Sequence, residues 1–310
     1  MTTAPYVTDI QTGEAWTLML GDSCERLAEI ADESVDFTIY SPPFSSLFTY
    51  SPSERDLGNT ASTDEFIAHY RFIVDELLRV TKAGRLCAVH VQQIATQKTR
   101  DGAIGVEDFR GAVIKRHVDS GWIFHGETTI WKDPQAQAIR TKSLSLLFAT
   151  LKRDSIMNRP AFADYLLIFR KPGENAVPVH PTHHGVTHKD WINWAQPVWW
   201  GIREFNTLNV AVARENADER HICPLQLDLI ERAVRLWTNP GELVLSPFAG
   251  IGSEGVVAIE QGRRFIGIEL KPSYWKVACD NLAHAEAEAS LPTLFDALPP
   301  SEPSKEDDLS

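Results

Sequence analysis

The chain has 310 residues, 43% of them hydrophobic, and a formal net charge of −12, which suits one large globular domain or one carrying an inserted module. No uncharged apolar run approaches the roughly 18 residues of a membrane helix, and the opening MTTAPYVTDI has no basic stretch with an apolar one behind it, so a cytosolic protein is expected. Cys24, Cys87, Cys223 and Cys279 are scattered without a CxxC pair, which argues against a disulfide framework or a thiolate zinc site.

The charge is segregated. Residues 1–78 carry 3 Lys/Arg against 14 Asp/Glu, whereas residues 79–171 carry 16 against 8. A basic middle third is compatible with a nucleic-acid face despite the acidic total, and equally with solvated surface. The end, DALPPSEPSKEDDLS over residues 296–310, reads as an acidic tail that needs no fold.

In chain order, a short strand Thr17–Leu20 leads to Gly21-Asp22-Ser23, a helix-like Cys24–Ile30 and a strand Val35–Tyr40. A helix capped at Thr63 or Asp64 follows, with Phe66, Tyr70, Ile73, Leu77 and Leu78 on one face, then Gly84 and a strand Leu86–Val91. Residues 92–160 and 173–222 are less regular and are expected to form, respectively, an inserted target-recognition region and a loop-rich segment. From Pro224 the alternation resumes: a helix with Leu225, Leu229, Ala233, Leu236 and Trp237, the turn Asn239-Pro240-Gly241, a strand Glu242–Leu245, a glycine-rich turn, a helix and a strand Arg264–Leu270. Such alternation predicts a mostly parallel, twisted sheet with helices on both faces, a single domain over 1–295.

Two motifs point to chemistry. SPFAGIGSEG, Ser246 to Gly255, lies between a strand and a helix, where a glycine turn lets backbone amides approach a ligand at a helix N-terminus. Glu269, 17 residues after Gly252 and at the end of the next strand, can accept from both hydroxyls of a ribose. A nucleoside-type ligand follows; a plain tight turn is the alternative. The second motif, Ser41-Pro42-Pro43-Phe44, closes the strand Val35–Tyr40. Its prolines remove two N–H donors and leave stiff carbonyl acceptors suited to an amino group, and Phe44 can stack on a base turned out of a duplex. A rigid Pro-Pro loop is the alternative.

SPPF and SPFAGIGSEG resemble the catalytic and S-adenosylmethionine motifs of the amino-group DNA methyltransferases, the N4-cytosine and N6-adenine family. SPPF precedes the glycine motif by about 200 residues, as in that family's circularly permuted β-type order. The resemblance extends to GDSCERLAEIADESVDFTIYSPPF, DYLLIFRKPGE and HICPLQLDLIERAVRLW. It implies a Rossmann-like fold and S-adenosylmethionine as cofactor, held by Asp22, Phe248, Gly250, Gly252, Ser253, Glu269, Pro224 and Gln226. It further implies catalysis by Ser41, Pro42, Pro43 and Phe44, and double-stranded DNA as partner. Where the family commonly has Asp-Pro-Phe, this chain has Ser246-Pro247-Phe248. YSPPF followed by LFTYSPSERDLGN is similar to prophage-type orphan enzymes of low sequence preference, without a partnered restriction nuclease.

The amine is a weak nucleophile, and carbonyl acceptors together with the Ser41 hydroxyl would favour a tetrahedral nitrogen in line with the sulfonium methyl. No Pro-Cys pair of the C5-cytosine type is present. The leading serine leans the reading slightly to N4-cytosine, with N6-adenine as the alternative. An RNA or protein methyltransferase and a catalytically dead DNA-binding relative are the other two. Lys132, Arg140, Lys142, Lys152, Arg153 and Arg159 are candidate DNA contacts against a reading as solvated charge. His180, His183, His184 and His188 lack metal-ligand spacing and suit a loop at DNA phosphates. Trp191, Trp194, Trp199 and Trp200 are expected mainly as packing. The oligomeric state is open, a homodimer being compatible.

Overall fold

A computed structural model describes residues 6–43, 56–60, 62–96, 98–135, 152–153, 161–180, 185–208 and 224–291. Strands and helices alternate: β1 (Asp9–Thr12), β2 (Trp16–Leu20), α1 (Ser23–Arg26), β3 (Val35–Tyr40), α2 (Thr63–Val80), β4 (Thr81–Gln92), β5 (Ile94–Thr96), α3 (Lys98–Asp101), β6 (Gly105–Glu107) and α4 (Phe109–Asp119). Then come β7 (Ile123–Ile130), β8 (Asp164–Arg170), α5 (His188–Trp194), β9 (Val198–Trp199), α6 (Leu227–Trp237), β10 (Leu243–Ser246), α7 (Ser253–Glu260), β11 (Arg264–Glu269) and α8 (Pro272–Ala289).

Local chemistry sets the main boundaries. The Ser62 hydroxyl caps α2 by accepting from the Glu65 N–H at 3.2 Å, one residue ahead of the expected cap. Phe66, Tyr70, Ile73 and Leu77 are buried, as helical spacing demands, while Leu78 is half-buried. At the start of α7, Gly252 sits at φ +91°, a left-handed conformation that costs glycine little.

Nine strands form one sheet in the order β1-β2-β11-β10-β3-β4-β8-β7-β9. β2, β11, β10, β3 and β4 run parallel, β8 is antiparallel to β4, and β7 is antiparallel to β8, so β7 points the same way as the parallel block. The chain passes from β10 to β11 on one side and from β3 to β4 on the other, so a crevice opens between β10 and β3 at their carboxyl ends. Open parallel sheets bind ligands at such a switch point.

The period of two along the strands divides the core. Leu18, Phe37, Ile39, Val244 and Phe265 pack beneath α6, α7 and α8. Met19, Tyr40, Leu243 and Leu245 pack beneath α2 and α4. Burial on both faces is what a parallel sheet requires.

Residues 92–160 depart from the expected irregular insertion. α4 packs on β4, β7 and β8, and β7 is a full member of the main sheet. The strand IFHGETTI hides from inspection because it lies near the sheet edge with its first half exposed and a register shift between Phe124 and Gly126. Residues 136–151 and 154–160, and the acidic tail 296–310, lie outside the described residues.

Candidate active site

The two motifs end adjacent strands. Val244 pairs with Phe37 and Leu245 with Thr38, so Ser41-Pro42-Pro43 and the bend after Ser246 leave the sheet side by side. β11 extends the edge with Glu269, and the Gly21 N–H donates to the Glu269 carbonyl at 2.9 Å, which brings Asp22 to the same rim. The Phe248 ring lies 5.7 Å from that of Tyr40, joining the bend to the last residue of β3. Ser23 donates from its hydroxyl to the Pro247 carbonyl and ties α1 to the bend.

Glu269 holds the bend. Its Oε2 accepts from the Gly250 N–H and its Oε1 from the Lys271 N–H, each at 2.8 Å. Burial pushes the carboxyl up to about 7 in spite of those two donors. The Ala249 and Gly252 amides are also engaged, by the carbonyls of Ile268 and Ala249. Three amides of the bend are therefore committed internally, which corrects the expectation that they face a ligand: the acidic residue takes one of them. Gly250, at φ +54°, is different in kind, since a Cβ there would enter open space.

Sequence reasoning misses Glu254. It is only 3% exposed in the first turn of α7, and burial, with the Glu269 charge adding to it, pushes its carboxyl up to about 8. An acidic residue directly ahead of the run GVVAI is the available signal.

On the other flank, Ser41 Oγ lies 3.2 Å from His90 Nδ1 and 3.3 Å from the His90 carbonyl. His90 Nε2 is 3.0 Å from Asp164 Oδ2, and Lys132 Nζ is 2.7 Å from the same oxygen. Burial opposes the Asp164 charge, but the hydrogen bond from His90 and the Lys132 ammonium hold the carboxyl below its ordinary range. His90 and Asp164 are also missed by sequence, although a histidine within LCAVHV and an aspartate opening DYLLIF are polar residues on otherwise buried strands. Lys132 is corrected: at 6% exposure and paired with Asp164, it is no candidate for DNA contact, because β7 delivers it to the inside of the sheet edge.

A family model for N6/N4 methyltransferases, described as DNA methylase, matches residues 35–280. The chain belongs to the DNA methylase family. Among curated relatives, the type II methyltransferase M.BglI of Bacillus subtilis is 28% identical over 173 residues, 56% of this chain and 42% of that protein. M.XycI of Xanthomonas campestris pv. cyanopsidis is 23% identical over 291 residues, 86% of this chain and 87% of that one. The chain thus spans under half of the first relative and most of the second. A candidate DNA modification methylase of Thermus thermophilus, solved with S-adenosyl-L-methionine, shares the fold, with a TM-score of 0.64 at 22% identity over 86% of this chain and 94% of that one.

The residues present fit the methylase cofactor. Gln226 is 5% exposed, and its Oε1 is buried without a hydrogen-bond partner among the described residues, an acceptor that a ligand can satisfy. Glu269 keeps lone pairs beyond its two backbone donors, which ligand hydroxyls can use. Asp22 caps α1, its Oδ1 accepting from the Cys24 N–H at 2.9 Å. Ser253 is buried at the start of α7, and Pro224 is half-buried just ahead of Gln226. The Ser246 hydroxyl is buried without a partner among the described residues.

Of the other expected residues, Lys152 and Arg153 form an exposed turn, while Phe44, Arg140, Lys142, Arg159, His183 and His184 lie outside the described residues. The described residues hold no group of three metal-ligand side chains. Among the tryptophans singled out, only Trp199 is core; Trp194 packs under Arg232 and Arg235, and Trp191 and Trp200 are more than half exposed. No helix among the described residues is long and apolar enough to cross a membrane.

Proposed function

We propose that this DNA methylase acts on a base turned out of double-stranded DNA, with Ser41, Pro42, Pro43 and Phe44 receiving the exocyclic amine and the bend from Phe248 to Ser253 holding the cofactor. The observation that carries the reading is the pairing of β3 with β10, which sets the donor-free proline elbow beside the glycine bend.

S-adenosylmethionine, when bound, supplies an electrophilic methyl on a sulfonium. The chain's own residues supply position. Glu269, pinned by two backbone N–H groups, presents its remaining lone pairs to ribose hydroxyls. Asp22, at the neighbouring strand end, faces the adenine side, and Gln226 with Pro224 closes the methionine end. The Ser41 hydroxyl and the carbonyls of the proline elbow accept the amine hydrogens, drawing them from the base plane so that the nitrogen lone pair turns towards the methyl.

The described cysteines support an amine rather than a ring carbon as target: burial pushes the Cys24 thiol up to about 12, and Cys87 and Cys279 are raised too, so none offers a thiolate for covalent attack. The leading serine leans the proposal to N4 of cytosine, with N6 of adenine second. Exposed Lys152 and Arg153 are proposed to meet phosphates, and the cytosol is the expected compartment. Tritium transfer from labelled cofactor to DNA, RNA and protein tests the proposal. Label on DNA alone is expected, lost in Pro43→Ala with cofactor binding kept; label on RNA or protein alone would refute it.

A further inference from the structure

Methylating an amine leaves a proton to be removed. The amine lone pair forms the new N–C bond, the C–S bond breaks with its electrons going to sulfur, and the methylated nitrogen carries one hydrogen and one positive charge too many. A planar base amine loses that proton readily, but in a closed crevice the proton needs an acceptor and a path.

We infer that His90 is the proton-relay partner of Ser41, a positioning residue backed by Asp164 and tuned by Lys132, which rests on the reading of Ser41 as the amine acceptor. The tautomer follows from the partners. Asp164 is ionised and accepts at Oδ2 from Lys132 Nζ at 2.7 Å, so the His90 nitrogen 3.0 Å from that oxygen carries a hydrogen. In the neutral ring the opposite nitrogen, Nδ1, is then an acceptor facing Ser41 Oγ at 3.2 Å. The Ser41 hydroxyl donates inwards and keeps its oxygen lone pairs for the amine. During transfer Ser41 Oγ takes the amine proton as its own passes to His90 Nδ1, and the imidazolium so formed lies against the Asp164 carboxylate.

The fold sets this row deep in the sheet edge. Ser41 follows β3, His90 lies near the end of β4, Asp164 opens β8, and Lys132 comes two residues after β7, where Ile130 pairs with Asp164. His90, Asp164 and Lys132 are each less than a tenth exposed. Among the described residues, the charged groups facing His90 are Asp164 from β8 and, through it, Lys132 after β7; beyond Lys132, Glu204 accepts from the Asp133 N–H at 3.2 Å. A purely structural ion pair would need only Asp164 and Lys132. The histidine between that pair and the motif serine is what a proton path adds. The proton is passed back through Ser41 to water after the product leaves.

The test is single-turnover methyl transfer to DNA as a function of pH, in the native enzyme, His90→Gln, Lys132→Met and Lys132→Arg, with cofactor affinity measured alongside. The native rate is expected to fall on the acid side of the profile. His90→Gln should lose that acid limb and roughly 10- to 100-fold of the plateau rate, with cofactor affinity held within about twofold, as proton transfer rather than binding is removed. Lys132→Met should move the limb to higher pH, and Lys132→Arg should restore it. An unchanged limb in His90→Gln overturns the inference, and if that variant does not fold, an unmoved limb in Lys132→Met overturns it equally. A native enzyme that labels no DNA overturns the underlying reading of the site instead, so the two failures are distinct.

Discussion

The two ends of the sheet treat charge differently. At the amino ends of the strands the buried ions are closed off: Arg85 pairs with Glu242, whose carboxylate also accepts from Asn239, and Arg263 donates to Thr238. Asp36 accepts from the Leu243 N–H at 2.9 Å and from Lys82. At the carboxyl ends polar groups stay open. Ser246 Oγ and Gln226 Oε1 lack partners among the described residues, Glu254 and Glu269 are raised towards neutrality, and Ser41 ends a row of titratable groups. Buried polar groups left unsatisfied are costly, so where a protein keeps several together they mark the place a ligand completes. On the proposed reading, one end is built for stability and the other for binding.

That contrast can be broken from either side. The largest effect is expected at the closed end: Arg85→Met leaves the Glu242 carboxylate buried without its cation and should destabilise the fold by about 3 kcal/mol, read by denaturant unfolding, while the folded fraction keeps its specific activity. Next, at the open end, Gly250→Val forces a β-branched residue to φ +54° and fills the empty space beside the bend. Cofactor affinity should fall by at least about 100-fold, equivalent to roughly 2.7 kcal/mol, beyond the fold destabilisation of about 1–3 kcal/mol that the backbone strain brings; calorimetric titration of the folded protein checks it.

A third effect is pH-dependent. Burial lifts Glu269 to about 7 and Glu254 to about 8, above the ordinary glutamate value. Raised carboxyls stabilise the fold at low pH, where they are protonated, and that contribution is lost as pH climbs through their folded values. The free protein should therefore melt lower as pH goes from about 5 to 8, with Glu254→Gln flattening the trend. Cofactor binding should run the other way, strengthening up to tenfold per unit as pH approaches 7, because ribose hydroxyls favour the ionised Glu269. Glu269→Gln should abolish that dependence. The smallest effect belongs to the exposed turn: Lys152→Ala and Arg153→Ala should each weaken DNA binding a few-fold and reduce the salt slope by about 1, leaving cofactor affinity untouched.

Much of the open end is legible in the sequence because its chemistry is written in glycine and proline. The bend at Gly250 and Gly252, the elbow at Pro42 and Pro43, and Glu269 at the next strand end each follow from backbone restriction and strand position. Side-chain contacts across the sheet are not legible. His90, Asp164 and Lys132 lie far apart in the chain and meet only because β7 and β8 join the sheet beside β4, and β7 lacks the apolar alternation that would reveal it. Lys132 misleads for the same reason, as a lysine beside Trp131 in an irregular stretch reads as surface until its strand is known. Glu254 escapes notice because acid in a helix's first turn is ordinarily a solvated partner of the helix dipole.

The central claim is that the proline elbow and the glycine bend serve one crevice in which a base amine meets an activated methyl. Nucleoside mass spectrometry of DNA digested after reaction with S-adenosylmethionine tests it most directly. The account predicts a methyl group on an exocyclic nitrogen, N4-methylcytosine ahead of N6-methyladenine. A methyl group on carbon 5 of cytosine, or methylated DNA that persists unchanged in Pro43→Ala, would contradict it.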